Sequence, residues 1–232
     1  GIESRNPMAF RYYDANKVVM GKTMAEWLKF AMAWWHTLCA EGGDQFGGGT
    51  KKFPWNECTC CKVQAAKDKV DAGFEFMQKM GIEYYCFHDT DLCAEADTVA
   101  EYEANLKEVV AYALARNIEI MPEVDLPGHM VAAVTAYPEF SCDPSKKYEV
   151  RIPGGISHDV LNIGDDKVID FLKCIMDNLA EVFPHQYIHF GGDECPTEQW
   201  AVNEKCLQRV EERGLDGVHQ LQSWLVEELG TY

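Results

Sequence analysis

The chain has 232 residues, 47% hydrophobic and 12% aromatic, which is enough to bury a substantial core and excludes a disordered composition. Its 21 lysines and arginines against 38 aspartates and glutamates leave a formal charge of -17, which disfavours nucleic acid and anionic membrane and suits neutral sugars or cations as partners. No apolar run approaches the ~18 residues of a membrane span, no basic-then-apolar secretion signal opens the chain, and a start on Gly1 reads as a piece of a longer chain. Ten cysteines without a small-domain framework read mostly as buried thiols in a reducing, cytoplasmic setting.

In chain order, Asn6 to Met20 is an aromatic-rich lead-in without regular pattern, followed by a short helix near Lys22 to Leu28. Phe30 to Thr37, FAMAWWHT, is a continuous apolar run of strand length, as expected for a strand covered on both faces. Glu41 to Asn56, with five glycines and a Pro-Trp, predicts a loop. From Lys62 the apolar positions Val63, Ala66, Val70 and Phe74 recur at helical spacing, and Gly81 is the stop signal. Ile82 to His88 predicts a second strand. Thr98 and Glu101 form a capping-box pattern ahead of a helical stripe through Tyr102, Leu106, Val109 and Ala113. Ile118 to Val124 predicts a third strand, and Pro127 to Asp165 a long loop. Val168, Leu172, Ile175, Leu179 and Val182 mark the third helix. Tyr187 to Phe190 is the fourth strand, and Val218 to Gly230 the last helix. Strand then helix, four times over, predicts an α/β fold with a parallel sheet and helices outside it.

The stretch HQYIHFGGDE, residues 185 to 194, carries the most chemistry. A strand running into Gly191-Gly192 delivers two acids, Asp193 and Glu194, at its C-terminal end, where barrel enzymes place their active sites. Adjacent strand side chains point to opposite faces, so both acids serve one substrate only if the chain bends there, and a glycine pair permits that bend. Read without context, GGDE is better taken as a Gly-rich turn with two solvated acids.

Residues 6 to 115 closely resemble the N-terminal part of xylose isomerase: NPMAFRYYD, WWHT, DQFGGGT with FPW, and FHDTDL stand in that family's order. The resemblance implies that His88 is the ring-opening base and Asp91 its carboxylate partner. A histidine held by an acid has its tautomer fixed and its basicity raised. The two divalent cations of such isomerases are held by later strands. Nothing after residue 116 resembles those strands, so no metal ligands and no isomerase activity are expected.

From Arg116 to Leu229 the chain resembles glycoside hydrolase family 20, the β-N-acetylhexosaminidases, through IMPEVDLPGH, AYPEFSC, HFGGDEC and VHQLQSW. That resemblance implies that Asp193 orients the substrate's 2-acetamido group, that Glu194 protonates the leaving oxygen and later activates water, and that Asp125 and His129 form the polar shell beside them. This is the substrate-assisted exception to the two-carboxylate scheme and needs no cofactor. The hydrolase pattern lacks its first-strand arginine and its later pocket-wall residues, so weak or absent turnover of a carbohydrate substrate is expected.

The two resemblances meet inside YALARNIEI. The reading is therefore a chimera of residues 1–115 and 116–232, forming a (βα)4 half of a TIM-type (β/α)8 barrel. Four strands leave two open edges. One expectation is a homodimer closing an eight-stranded barrel, with an open doubly wound sheet as its rival and a non-catalytic scaffold as the alternative to an enzyme. Cys58, Cys60 and Cys61 form a CxCC cluster suited either to a soft metal or to exposed loop thiols, and Cys195 and Cys206 are close enough in sequence for a disulfide.

Overall fold

The computed structural model describes residues 3–57 and 61–232, and the chain divides into two compact units, Gly1–Asn117 and Ile118–Tyr232. Cys58 and Cys60 of the CxCC cluster lie outside the described residues.

The first unit opens with a hairpin of β1 (Val18–Val19) and β2 (Lys22–Thr23), which leads into the short helix α1 (Met24–Trp27). Thr23 and Glu26 close a reciprocal capping box on that helix, so four residues without a buried face hold a helical turn. Strand β3 (Ala31–Ala33) pairs in parallel with β6 (Tyr84–Cys86), with Ala31 opposite Tyr84 and Ala33 opposite Cys86. Between them lie a two-residue hairpin of β4 (Gly43–Asp44) and β5 (Gly47–Gly48), the short helix α2 (Pro54–Glu57), and the long helix α3 (Lys62–Met80). After β6 come α4 (Asp89–Leu92) and α5 (Val99–Leu114), and α5 packs on α3. Each long helix buries one stripe, Ala66, Val70 and Met77 on α3 and Leu106, Val109, Val110 and Ala113 on α5. Gly81 takes the left-handed cap conformation that ends α3.

The first strand is shorter than the apolar run FAMAWWHT predicts, and it is not covered on both faces. Phe30 is 72% exposed, and after Ala33 the chain turns through Trp34–His36. The turn is closed locally: the Thr37 N–H donates to the Trp34 carbonyl at 3.0 Å, and the Thr37 hydroxyl donates to the Ala33 carbonyl at 2.8 Å. Trp34 is fully buried against the rings of Phe74, Tyr85 and Phe87. A run of apolar residues thus splits between one exposed end and one aromatic core.

In the second unit the predicted strands at 118–124 and 187–190 reduce to a parallel bridge between Glu123 and His189. Three backbone bonds make the junction: His189 N–H to the Pro122 carbonyl at 2.9 Å, Val124 N–H to His189 at 3.0 Å, and Leu126 N–H to Phe190 at 3.0 Å. Pro122 has no N–H to extend the ladder on one side, and the Gly191-Gly192 turn ends it on the other. The long loop predicted from Pro127 to Asp165 contains the helix α6 (Val131–Ala136) and an antiparallel bridge between Ser141 and Leu161. Val134, Val160, Leu161 and Ile163 on it are fully buried, so this segment is core. Helix α7 (Asp166–Val182) follows the predicted stripe, with Val168, Leu172 and Val182 buried. Helix α8 (Glu204–Arg213), absent from the sequence reading, runs between an Asn203 cap and Gly214, and α9 (Leu221–Gly230) closes the chain. Trp200 sits at the centre of this core and donates its indole N–H to the Leu161 carbonyl at 2.9 Å. Among the described residues, no helix is long and apolar enough to cross a membrane.

Candidate active site

In the second unit, the short parallel pairing brings two chain segments side by side. Past Leu126 one segment turns at Pro127-Gly128 toward His129; past Phe190 the other turns through Gly191 and Gly192 toward Asp193 and Glu194. Gly128 touches this second turn: a Cβ there would lie 3.2 Å from the Cys195 Cα and 3.5 Å from the Asp193 carbonyl.

Gly191 is the tighter constraint. Its φ is +59°, and an added Cβ would lie 2.4 Å from Asp125 Oδ1 and 2.9 Å from the Asp125 Cα, inside van der Waals contact. The absence of a side chain lets Asp125 reach over the turn, where its Oδ1 accepts from the Gly192 N–H at 2.9 Å. Gln222, on α9, donates its side-chain amide to the Gly192 carbonyl from the other side. The turn is therefore gripped at both backbone polar groups of Gly192.

These contacts gather the four hydrolase-type residues of the sequence reading. Asp125, His129 and Asp193 each offer an atom within 4.8 Å of the others, a spacing that also fits a cation. The ring Nε2 of His129 lies 3.4 Å from Glu194 Oε2. Both His129 and Glu194 have positive φ, 53° and 47°, which is uncommon for residues with side chains and directs both into the same turn region. Burial pushes the Asp125 carboxyl above the usual carboxylate range; the Gly192 N–H opposes this, and the adjoining Asp193 carboxylate adds to it.

Gln222 is the residue the sequence reading left without a role, although it lies inside the VHQLQSW motif. His189 is a second: its Nδ1 lies 3.0 Å from Glu123 Oε2 and 3.2 Å from the Gly191 nitrogen, at the start of the turn. A histidine two residues ahead of a glycine pair was the available signal.

His88 and Asp91 belong to the first unit. His88 is the N-cap of α4, and its backbone N–H and ring Nδ1 both lie 2.9 Å from Asp91 Oδ2. The ring packs on Trp35 with centroids 4.8 Å apart. Burial works to raise the Asp91 carboxyl, but the two His88 contacts outweigh it and hold the group below its ordinary value. The pair is formed, with the histidine side chain 65% exposed.

The disulfide suggested by the spacing of Cys195 and Cys206 is not formed. Both are free thiols, and the Cys206 thiol donates to Asn162 Oδ1 at 3.3 Å. Cys61 is likewise a free, exposed thiol.

The catalytic-domain model of glycosyl hydrolase family 20 matches residues 77–232. Among solved structures, a Flavobacterium johnsoniae chitobiase is 27% identical with a TM-score of 0.58, over 72% of this chain and 27% of that one. A β-N-acetylhexosaminidase from Bacteroides fragilis is 26% identical with a TM-score of 0.54, over 74% of this chain and 37% of that one. Among curated proteins, the xylose isomerases of Phocaeicola vulgatus and Bacteroides thetaiotaomicron are 79% and 73% identical over 119 residues, 51% of this chain and 27% of each relative. The chain thus spans about a quarter of the length of the curated relatives it matches. It joins a stretch similar to xylose isomerase to a glycoside-hydrolase-like fragment, and over residues 77–232 it belongs to glycosyl hydrolase family 20, whose catalytic domain is a TIM barrel.

Proposed function

We propose that the second unit carries the acid/base and the acetamide-orienting groups of a substrate-assisted β-N-acetylhexosaminidase. The observation that carries this reading is the convergence of Asp125, His129, Asp193 and Glu194 on one glycine turn, with Gly192 bonded to Asp125. In this reading Asp193 accepts the acetamide N–H and turns the acetamide oxygen toward the anomeric carbon. Glu194 donates a proton to the leaving oxygen as the C–O bond breaks, then removes one from the incoming water. Acidic groups at this turn suit stabilisation of the positive charge that develops on the acetamide. His129 positions Glu194. No cofactor enters these steps, and the substrate is a terminal β-linked N-acetylhexosamine.

Turnover by this chain is proposed to be weak, since it spans only 27–37% of the hexosaminidase structures it matches. The test is hydrolysis of a chromogenic β-N-acetylglucosaminide by the purified chain beside Glu194→Gln. Loss of a general acid/base typically removes about 10²–10⁴-fold. Equal background from both proteins would overturn the reading and leave the four residues in a non-catalytic scaffold.

A second reading is supported by the His88–Asp91 pair at 2.9 Å: an aldose isomerase fragment, whose divalent metal the sequence provides no family ligands for. Metal-dependent conversion of xylose, lost in His88→Ala, would support it. For assembly, we propose that the chain is a (βα)4 half-barrel that dimerises to close eight strands; a monomer at micromolar concentration in sedimentation would sink that proposal.

A further inference from the structure

Cys142 and Cys206 are distant in sequence but are held against each other within the second unit by the cap of a helix. Asn203, the N-cap of α8, donates its Nδ2 to the Cys142 carbonyl at 3.1 Å, while its Oδ1 accepts from the Cys206 N–H at 3.1 Å. One amide side chain thus ties the two backbones together. The sulfurs then rest on consecutive residues of the buried 160–163 segment: Cys142 Sγ is 3.9 Å from the Leu161 carbonyl, and Cys206 Sγ is 3.3 Å from Asn162 Oδ1. The bridge between Ser141 and Leu161 and the Asn162 N–H bond to Phe140 at 2.8 Å fix that segment beside Cys142.

Each thiol also bears on the ionisation of the other. Cys142 is the largest influence drawing Cys206 below the ordinary thiol range; burial opposes it, and the Gly164 backbone and the nearby Arg209 guanidinium assist. Cys142 is pushed upward correspondingly. Cys206 is fully buried and Cys142 half-buried. Cys195, the partner that spacing alone suggests, is raised by burial to about 12 and carries no comparable contact with Cys206.

We propose that Cys142 and Cys206 are a dithiol site that a peroxide oxidises to an intramolecular disulfide. The Cys206 thiolate attacks one peroxide oxygen; the O–O bond breaks, the departing hydroxide takes a proton to become water, and Cys206 becomes a sulfenic acid. The Cys142 sulfur then attacks Cys206, the S–O bond breaks, and hydroxide leaves with the Cys142 proton as a second water. Two thiols lose two electrons, and hydrogen peroxide gains them. A small oxidant suits the site because Cys206 has no exposed surface.

The test treats the full chain with hydrogen peroxide, blocks remaining thiols with N-ethylmaleimide in denaturant, and maps the unreduced digest by mass spectrometry. The expected product joins the Cys142 and Cys206 peptides, lighter by two hydrogens than their sum. Dithiothreitol removes it, and it persists in Cys195→Ser. The thermal midpoint should rise with the link and fall back on reduction, since closing that loop restricts the unfolded chain. The rise should be absent in Cys142→Ser. Recovery of Cys142 and Cys206 as maleimide adducts, under peroxide that oxidises the exposed Cys61 and Cys174, would overturn the proposal; so would a link from Cys206 to Cys195. The wild-type map decides the matter even if the Cys142 variant does not fold.

Discussion

His88 and Asp91 meet because a helix begins between them, whereas Asp125 meets the Gly192 turn because two segments 67 residues apart pair side by side. The first pair needs only one turn of backbone, since an N-cap residue and the third helical residue face each other in any capped helix. The second cluster needs the Pro122–Leu126 and His189–Phe190 pairing, the Gly191 opening and the Gln222 grip all at once. Electrostatics follows the same division. Local contacts hold Asp91 below its ordinary value, while burial and a neighbouring acid hold Asp125 above its own.

This contrast can be broken most forcefully at Gly191. Gly191→Ala places a Cβ against the Asp125 backbone at a positive φ, and should cost roughly 2–4 kcal/mol from overpacking and left-handed strain combined. The measurement is a denaturant midpoint, and an unchanged midpoint would show that the turn is not gripped as described. Next in size is Gln222→Ala, which strips a donor from the Gly192 carbonyl and should cost about 1–2 kcal/mol. The His88–Asp91 pair should be untouched by either change, as reported by the Asp91 carboxyl resonance in acid titration.

Asp125→Asn should stabilise the fold near neutral pH. A carboxyl whose folded pKa lies above its unfolded value opposes folding once pH exceeds the unfolded value, fully so above the folded one. Removing it therefore raises the thermal midpoint at neutral pH, and the gain fades as pH falls toward 3.8. The Asn oxygen still accepts from Gly192. A variant less stable at neutral pH would contradict the raised Asp125 carboxyl.

The smallest effect belongs to His88→Ala. The ring is 65% exposed, so its loss should cost under about 1 kcal/mol. Asp91 has the opposite sign from Asp125: its lowered pKa supplies stability above 3.8 that is lost as pH falls through the folded value. The gap between wild type and variant should close in acid; a gap independent of pH would place the cost in the Trp35 packing instead.

Local order was readable in the chain wherever a residue's partner was close in sequence. The Lys62–Met80 helix with its Gly81 stop, the Thr98 cap and the Asp166–Val182 stripe follow from spacing alone. The long FAMAWWHT strand did not form because a Thr37 side chain competes for the backbone and Trp34 has its own aromatic shelter. The α8 helix escaped notice because few large apolar residues mark it: its buried residues are Cys206 and Arg209, neither of which reads as a core residue. At the site, Asp193 and Glu194 were visible beside their glycines. Gln222 was not, since an amide on a helix has no signature until the carbonyl it meets is known.

The pairing of Leu126 with Phe190 also orders events in time. A ribosome adding about 5–20 residues per second releases Asp125 roughly 3–13 s before Gly192 exists to bond it. Through that interval Asp125 is a solvated acid on a nascent chain, without the Gly192 partner it has in the fold. His88 waits only for Asp91, three residues behind it. During synthesis, the isomerase-like pair is thus complete early, while the Asp125 contact to Gly192 comes late and the Gln222 contact to the same glycine later still.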